Sequence, residues 1–236
     1  VRGECTVGHG VEVDALQGEP SGLVRVAALP SAAEFLLPPV LRSLAGGAVT
    51  LTLTDDDVAE ADFGRRTAEH DVVIGHTLAE VPAGTERLSV LTLAREPLEV
   101  AVPADHRLAG RTHVRASDLA GERWIGVPLG YPFDTVRIAI DNRSGQPLQV
   151  VQRIRDNRVV ESLVASGEGC ALLPRFTTLG RPGVVTLPLA DVRSVRTIVA
   201  LGRPDRWQRA AVRLVLDALA QVGATIARKL NAARGP

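Results

Sequence analysis

The sequence is short of several residue types that particular functions require. Its 236 residues include no methionine, one tyrosine, 3% aromatic residues and two cysteines, Cys5 and Cys170. Two distant cysteines provide neither a disulfide framework nor a metal-ligand spacing. Cys170 lies in the apolar run CALLP, which favours a small structural hydrophobe over a reactive thiol.

Charge of one sign is not in excess, because 27 Lys and Arg balance 27 Asp and Glu. A free-standing nucleic-acid-binding protein normally carries a basic surplus. We therefore expect this chain alone not to bind DNA.

Long apolar runs are also scarce. No stretch of about 18 apolar residues is visible, and no basic start is followed by an apolar segment. We therefore expect no membrane partner and no secretory signal. The expectation is a cytoplasmic location, unless a leader was removed before Val1.

Local catalytic patterns are missing too. The five histidines are scattered, no Ser-His-Asp or Cys-His motif is present, and no glycine loop suits a phosphate. The acidic triplet at 55–57 has no His or Cys near it, so we interpret it as a helix cap rather than a metal cluster. We expect no enzyme activity, no cofactor and no metal.

The most informative stretch runs from residue 159 to 175. Val159, Val160, Leu163 and Val164 have helical spacing, and Ser166-Gly167 supplies a left-handed helix exit. CALLP then predicts a strand buried on both faces. A helix, a glycine turn and a buried strand form a unit of a parallel α/β sheet.

The first half of the chain repeats this alternation after a tail or linker at 1–22. Strands are predicted at 23–29, 49–54 and 71–75. A helix capped by Ser31 separates the first two. Pro38-Pro39 indicate either that its regular part starts there or that its first turn is irregular. A polar helix at 58–68 separates the second and third. This order implies a parallel, doubly wound sheet.

The second half follows the same order. A β-rich run at 88–103, interrupted at Arg95-Glu96-Pro97, leads to strands at 124–127 and 148–154 around a helix at 134–144. Later strands are predicted at 184–187 and 197–201, before a long helix at 206–230. The pattern describes two lobes joined by two strands, with a ligand expected in the cleft between them.

Several of these segments, in this order, resemble the effector-binding domain of LysR-type transcriptional regulators. The most specific are PADHRLAG (103–110) and LVASGEGCALLP (163–174), and the resemblance runs from about residue 22 to 219. It implies an α/β fold of two Rossmann-like lobes joined by two crossover strands, of the type 2 periplasmic-binding-protein-like kind. On this interpretation residues 23–97 and 200–230 form one regulatory lobe, and residues 98–199 form the other.

In the family, a winged helix-turn-helix and a linker helix precede this domain. The resemblance therefore implies transcription regulation with DNA bound through a missing N-terminal domain. It also implies a small-molecule effector in the cleft. Two departures from the family stand out: the usual leucines of one helix are Gly64 and Arg65, and Val58 replaces a hydroxylated residue.

The effector site is predicted from strand ends and from one aromatic turn. Helix starts at Ser31 and Asp134 favour an anion, although the carboxylates at 55–57 oppose one close by. The predicted effector-binding residues are Ser31, Ala32, Ala33, Asp57, Val58, His76, Thr77, Gly130, Tyr131 and Phe133.

A homodimer or tetramer is predicted from the resemblance. Residues 35–54 would face the helix at 157–167 of a partner copy, and the apolar load of the first helix suggests the same surface. The predicted interface residues are Leu36, Val40, Leu41, Leu44, Val159 and Leu163.

Two other functions remain open at this point. A transport-type solute-binding protein with the same fold would carry a leader peptide in its gene, whereas a regulator would carry a helix-turn-helix upstream. An enzyme on this scaffold would need a convergent catalytic set in the cleft and would turn over its ligand.

Overall fold

The computed structural model describes residues 19–56, 62–178 and 180–232. The predicted site residues Asp57 and Val58 lie outside the described residues. The strands are β1 Gly22–Ala28, β2 Val49–Asp55, β3 Val72–Thr77, β4 Ser89–Pro103, β5 Arg123–Gly126, β6 Gln149–Arg153, β7 Cys170–Pro174, β8 Val184–Leu187 and β9 Val195–Gly202. The helices are α1 Pro30–Leu44, α2 Phe63–Arg66, α3 Pro132–Ser144, α4 Asn157–Ala165, α5 Arg175–Thr178, α6 Pro204–Trp207 and α7 Ala210–Ala232.

The first lobe is built on the sheet order β2-β1-β3-β9-β4. β1 pairs in parallel with both β2 and β3, which confirms the predicted β-α-β-α-β arrangement. β9 then inserts antiparallel between β3 and the first half of β4.

The second lobe continues from the other half of β4 through β7, β5 and β6. β5 is parallel to both β6 and β7, as the repeated pattern predicts. β8 pairs antiparallel with β4.

One strand passes through both lobes. β4 is continuous over 15 residues, with a register shift between Thr92 and Ala94. The predicted interruption at Arg95-Glu96-Pro97 is therefore wrong, because these residues pair in order with the start of β9. β9 pairs along its whole length within the first lobe's sheet, including residues that the predicted division placed in the second lobe.

Each lobe has its own apolar core. The first is formed by α1 and α7 packed on β1, β3, β4 and β9. The second is formed around Trp124 and the inner face of α3. The two cores place the cleft between them, spanned by β4 and bordered by the start of β9.

Helix α1 begins with proline rather than with a capping serine. Leu29 is the N-cap residue and Pro30 occupies the first turn, so the prediction of Ser31 as the N-cap is wrong. Pro38 and Pro39 lie inside the helix and remove two backbone donors. The helix persists because Leu36, Leu37 and Val40 are buried in the first core.

The unit α4–β7 matches its prediction closely. Gly167 has a φ of +83°. Gly167 and Glu168 donate their N–H groups to Val164 O and Leu163 O, the bond pattern of a Schellman motif. All five residues of β7 are buried.

Two of the remaining predicted helices differ from expectation, whereas the helix predicted at 134–144 is α3. The polar helix of the first lobe is reduced to α2, four residues long, within the part of 58–68 that the structure describes. The C-terminal helix starts at Ala210, and Trp207 belongs to the separate turn α6.

Helix α7 is long and apolar enough to cross a membrane by length and composition, since an 18-residue window within Ala210–Leu230 has a mean hydropathy of 1.5. The helix is interrupted by charged residues such as Arg213 and Asp217, so it is not the uninterrupted apolar run whose absence was expected. Ala211, Val212, Val215 and Leu219 of this helix are buried in the first core, so one side of α7 packs on the first lobe.

The predicted dimer residues divide by exposure. Leu36 and Val40 are completely buried in the first core, so their assignment to a partner surface is wrong. Leu41 and Val159 are 47% and 44% exposed, and Leu44 and Leu163 are half-buried.

Candidate effector cleft

A cavity of about 320 Å³ lies between the two lobes. Both lobes contribute to its wall, chiefly through the ends of strands and the starts of helices. Its lining residues are Leu29, Pro30, Ser31, Glu34, Asp55, Asp56, His76, Val127, Tyr131, Pro132, Phe133, Arg155, Asp156, Asn157, Arg158, Glu161, Thr177 and Arg196.

Four predicted site residues, Ser31, His76, Tyr131 and Phe133, line this cavity together. The other predicted residues that the structure describes do not line it. Ala32 and Thr77 are completely buried, and the Thr77 hydroxyl accepts a hydrogen bond from Ala79 N–H at 3.0 Å. The remaining two are Ala33 and Gly130.

Sequence reasoning missed the charged part of the lining. Residues 155–158 follow β6 at its carboxyl end, so the strand-end rule that selected His76 would also have selected them. The strand-end rule does not select Arg196, because this residue lies inside β9 and reaches the cavity from between the lobes.

Two helix N-termini, one from each lobe, meet at the cavity. Helices α1 and α3 both begin with proline, and neither N-cap side chain bonds to the helix. Among the described residues, no acceptor is found for the backbone N–H of Ser31 or Phe133. Free N–H groups and the helix dipoles favour an anion at this position.

Arg196 lines the floor of the cleft as one member of a buried ion pair. Arg196, 1% exposed, contacts Glu96 at 2.6 Å, and the two residues pair across β4 and β9. Burial raises the pKa of Glu96, while Arg196 opposes that shift. Arg196 also donates to the Ser31 hydroxyl at 3.0 Å, and its guanidinium lies 5.8 Å from the ring centre of Phe133.

His76 is held neutral beside this pair. Burial, and secondly the charge of Arg196, lower the pKa of His76 to about 3. Its ring lies 5.5 Å from that of Phe133, and its buried Nδ1 has no hydrogen-bond partner within the described residues. The imidazole therefore offers the cavity a neutral polar group.

An ion-pair network closes one side of the cleft. Arg158 of α4 pairs with Glu34 of α1, which belongs to the opposite lobe, and with the buried Glu161. Glu161 also accepts a hydrogen bond from the Thr178 hydroxyl at 3.0 Å and pairs with Arg181 at 2.7 Å. The Glu34–Arg158 pair is thus a direct electrostatic link between the lobes.

The sequence's single tyrosine lies opposite Ser31 across the cleft. The Tyr131 hydroxyl is 3.5 Å from Arg155 Nη1. Tyr131 is the N-cap residue of α3 and is half-buried, so its ring is available to a ligand. Tyr131 therefore lies on the second-lobe wall of the cavity.

Cys170 does not line the cleft. It is the first residue of β7, 1% exposed, and its burial, together with the charge of Glu122, raises its pKa to about 12. The thiol is therefore protonated and shielded at neutral pH.

Comparison with known proteins identifies the family. Residues 17–224 match the LysR substrate binding domain. The hydrogen peroxide-inducible genes activator of Pectobacterium carotovorum is 27% identical over 218 residues, which cover 88% of this chain and 70% of that protein.

Solved structures show the same fold. The regulatory domain of CcmR from Synechocystis, in complex with 2-PG, aligns with a TM-score of 0.73 and 19% identity, covering 86% of this chain and 98% of that one. The effector binding domain of QuiR, in complex with shikimate, aligns with a TM-score of 0.73 and 14% identity, covering 87% and 98%.

The chain therefore belongs to the LysR substrate binding domain family, the effector-binding domains of LysR-type transcriptional regulators. It has the α/β, type 2 periplasmic-binding-protein-like fold of that family.

Proposed function

We propose that the cleft binds a small organic anion that also carries hydroxyl or other polar groups, and that this is the effector of a cytoplasmic transcription regulator. The proposal is supported by the arrangement of two helix N-termini and one cation around the cavity. The uncapped N-termini of α1 and α3 face one cavity from opposite lobes, with the cation of Arg196 at its floor.

The acidic side chains of the lining limit where the anion sits. Asp55 is exposed at the end of β2, and Asp56 is paired with Arg66 at 2.6 Å. A carboxylate near Asp55 would be repelled, whereas the helix starts attract it. The anionic end is therefore placed at Ser31 and Phe133, and the polar groups point toward Asp55.

Effector binding would act on the angle between the lobes. A ligand that contacts Ser31 of one lobe and Tyr131 of the other stabilises the closed arrangement, in which Glu34 and Arg158 also meet. The result is a population shift that attached DNA-binding domains would read. DNA would be bound through such a domain and not by this chain.

Sensing would not involve chemistry on the ligand or on a cleft thiol. The described lining contains His76 and several carboxylates but lacks a nucleophile paired with a base, and Cys170 lies outside it. The peroxide response named for the Pectobacterium relative is therefore not proposed for this cleft.

A homodimer is proposed through the exposed parts of α1, β2 and α4. β2 is an edge strand of the described sheet, and its Leu53 is 47% exposed. Together with Leu41 and Val159 it leaves apolar surface on the elements predicted to face each other in a side-by-side pair.

Native mass spectrometry of freshly purified protein tests the ligand class. We expect a co-purified small anion, or binding of added shikimate or 2-PG as probes of that class. With whichever ligand binds, calorimetry on Ser31→Ala and Tyr131→Ala should show affinity reduced about tenfold or more for each, since each removes a direct polar or stacking contact.

Matched variants separate binding from folding. Ser43→Ala removes a hydroxyl from the same helix that bonds only Val40 O among the described contacts, so it should leave affinity unchanged. Tyr131→Phe keeps the ring and removes the hydroxyl. Unchanged affinity in the Ser31→Ala, Tyr131→Ala double variant would show that the site is elsewhere.

A further inference from the structure

A second polar cluster lies at the opposite end of the second lobe. His106 follows β4, Glu122 precedes β5, and Cys170 opens β7. The cleft lies at the other ends of β5 and β6, next to Val127 and Arg155. This cluster is therefore remote from the cleft, and any ligand that it holds is independent of the proposed effector.

Three ligand atoms converge in this cluster. His106 Nε2 lies 3.4 Å from Glu122 Oε2 and 3.9 Å from Cys170 Sγ, and all three atoms lie within 4.8 Å of one another. Around a tetrahedral zinc ion, N, O and S ligands stand roughly 3.3 to 3.6 Å apart. The His106–Glu122 distance already falls in this range, and the His106–Cys170 distance exceeds it by a few tenths of an ångström. The Glu122 and Cys170 ligand atoms, within 4.8 Å of each other, can approach by side-chain rotation.

We propose that His106, Glu122 and Cys170 form a binding site for a zinc ion, with water as the fourth ligand. His106 and Glu122 are 18% and 19% exposed, which leaves an entry path for the metal and room for that water. The sulfur and imidazole donors select a borderline-soft ion over Mg²⁺ or Ca²⁺.

Neighbouring groups already orient one of the ligands. Arg107 donates from Nε and Nη2 to Glu122 Oε1, at 3.0 and 2.6 Å. The other carboxylate oxygen is thereby turned toward His106 and Cys170. Arg107 is a positioning residue for Glu122, as the partners of metal-bound carboxylates commonly are.

Metal binding requires two proton shifts. The Cys170 thiol loses its proton to solvent as the zinc–sulfur bond forms, and the imidazole proton moves from Nε2 to Nδ1. The second shift gives up the 3.3 Å hydrogen bond from Leu108 N–H to His106 Nδ1. Both steps favour an ion with strong affinity for thiolate.

The bound ion would join three separate segments of the second lobe. The turn after β4, the loop before β5 and the start of β7 would be tied at one point. The ion would therefore be a structural metal that stabilises this lobe rather than a catalytic centre.

Cobalt and zinc titrations of the 236-residue chain test the site, in a Cys5→Ser background so that Cys170 is its single thiol. We expect one Zn²⁺ per chain by calorimetry, and a thiolate-to-cobalt charge-transfer band with Co²⁺. Cys170→Ser should abolish the band, and Glu122→Gln should lower Zn²⁺ affinity at least tenfold.

Two further variants test the positioning role. Arg107→Leu should require about tenfold more Co²⁺ for half-saturation while keeping the band. Arg111→Leu removes the neighbouring 2.7 Å ion pair to Asp118 and should change neither the Co²⁺ concentration at half-saturation nor the band. Absence of the cobalt band in the Cys5→Ser protein would overturn the proposal, as would Zn²⁺ binding that survives Cys170→Ser. If Cys170→Ser does not fold, the affinity loss in the partly exposed Glu122→Gln decides the question.

Discussion

At the scale of single residues, burial determines the charge of His76 in the cleft. The ring is largely enclosed and stands near the Arg196 guanidinium, and both effects disfavour the charged imidazole. A histidine with an ordinary pKa would charge in mildly acidic solution and repel Arg196. The same burial keeps the cleft polar without adding a second cation.

The lowered pKa of His76 predicts a pH dependence of stability. Between about pH 6.5 and 3 the unfolded chain binds a proton that the folded chain does not, so the free energy of unfolding decreases as pH falls. His76 contributes up to about 1.4 kcal/mol per pH unit to that loss. His76→Asn should therefore lose about 2 kcal/mol less than the unmodified protein between about pH 6.5 and 5.

Urea unfolding at both pH values measures this difference. His113→Asn, at an exposed histidine, is the matched control and should retain the full slope. Equal slopes in all three proteins would show that folding does not lower the pKa of His76. The raised pKa of Glu96 acts in the opposite direction but is common to all three.

The site residues that can be predicted are those that lie next to the ends of predicted strands and helices. Ser31, His76 and Tyr131 follow strands or open helices, and that periodicity is visible in the residues themselves. Arg196 is not predictable in this way, because its pairing with Glu96 joins positions 100 residues apart through the register of β4 and β9. No local pattern encodes that register.

At the scale of elements, the contact between α7 and β4 explains a glycine in the middle of a long helix. A Cβ atom at Gly223 would stand 2.3 Å from Leu93 O. The glycine thus lets the helix lie directly on the bulged part of β4, near the register shift after Thr92.

Gly223→Ala should destabilise the protein although alanine is the better helix former. Alanine normally gains about 1 kcal/mol over glycine inside a helix, but the overlap with Leu93 should produce a net loss of about 1 to 3 kcal/mol. Thermal unfolding monitored by circular dichroism measures the change.

Gly64→Ala is the control for this substitution. Gly64 lies in α2, and an added Cβ there would meet nothing within 4 Å. The stability of the Gly64→Ala protein should therefore be unchanged or slightly increased. Equal effects of the two substitutions would mean that α7 does not pack on β4 at Gly223.

Elements with a strong internal period were predictable, and elements that depend on tertiary contact were not. The alternation of β2 and the glycine exit of α4 are local properties. The start of α1 at Pro30 is not a local property, because its N-cap residue, Leu29, is an apolar residue buried in the first core. The continuity of β4 likewise depends on β9 pairing beside it.

At the scale of the whole molecule, the proposed dimer rests on apolar side chains that neither core uses. Leu41 and Leu53 lie on α1 and β2 of the first lobe, and Val159 lies on α4 of the second. An antiparallel pair would bring the first set of one copy against α4 of the other, and would do so twice.

Leu41→Glu should shift the protein toward monomer without unfolding it, because its side chain is 47% exposed. A charge buried in each copy of the interface is expected to weaken the dimer by at least tenfold. Sedimentation velocity over a concentration series measures the shift. Ile138→Glu, at a residue 46% exposed on α3, should leave the assembly unchanged. A protein that is already monomeric at high concentration would contradict the proposed dimer.

The insertion of β9 between β3 and β4 sets an order of events during synthesis. The second lobe is encoded by one uninterrupted stretch, and its sheet can assemble once β8 has left the ribosome. The first lobe lacks its inner strand β9 and helix α7 until residues 195–232 emerge, so β3 and β4 remain with unpaired edges. The half of the chain made first is thus completed last, and nascent chains stalled before residue 195 should expose the first lobe, but not the second, to proteases.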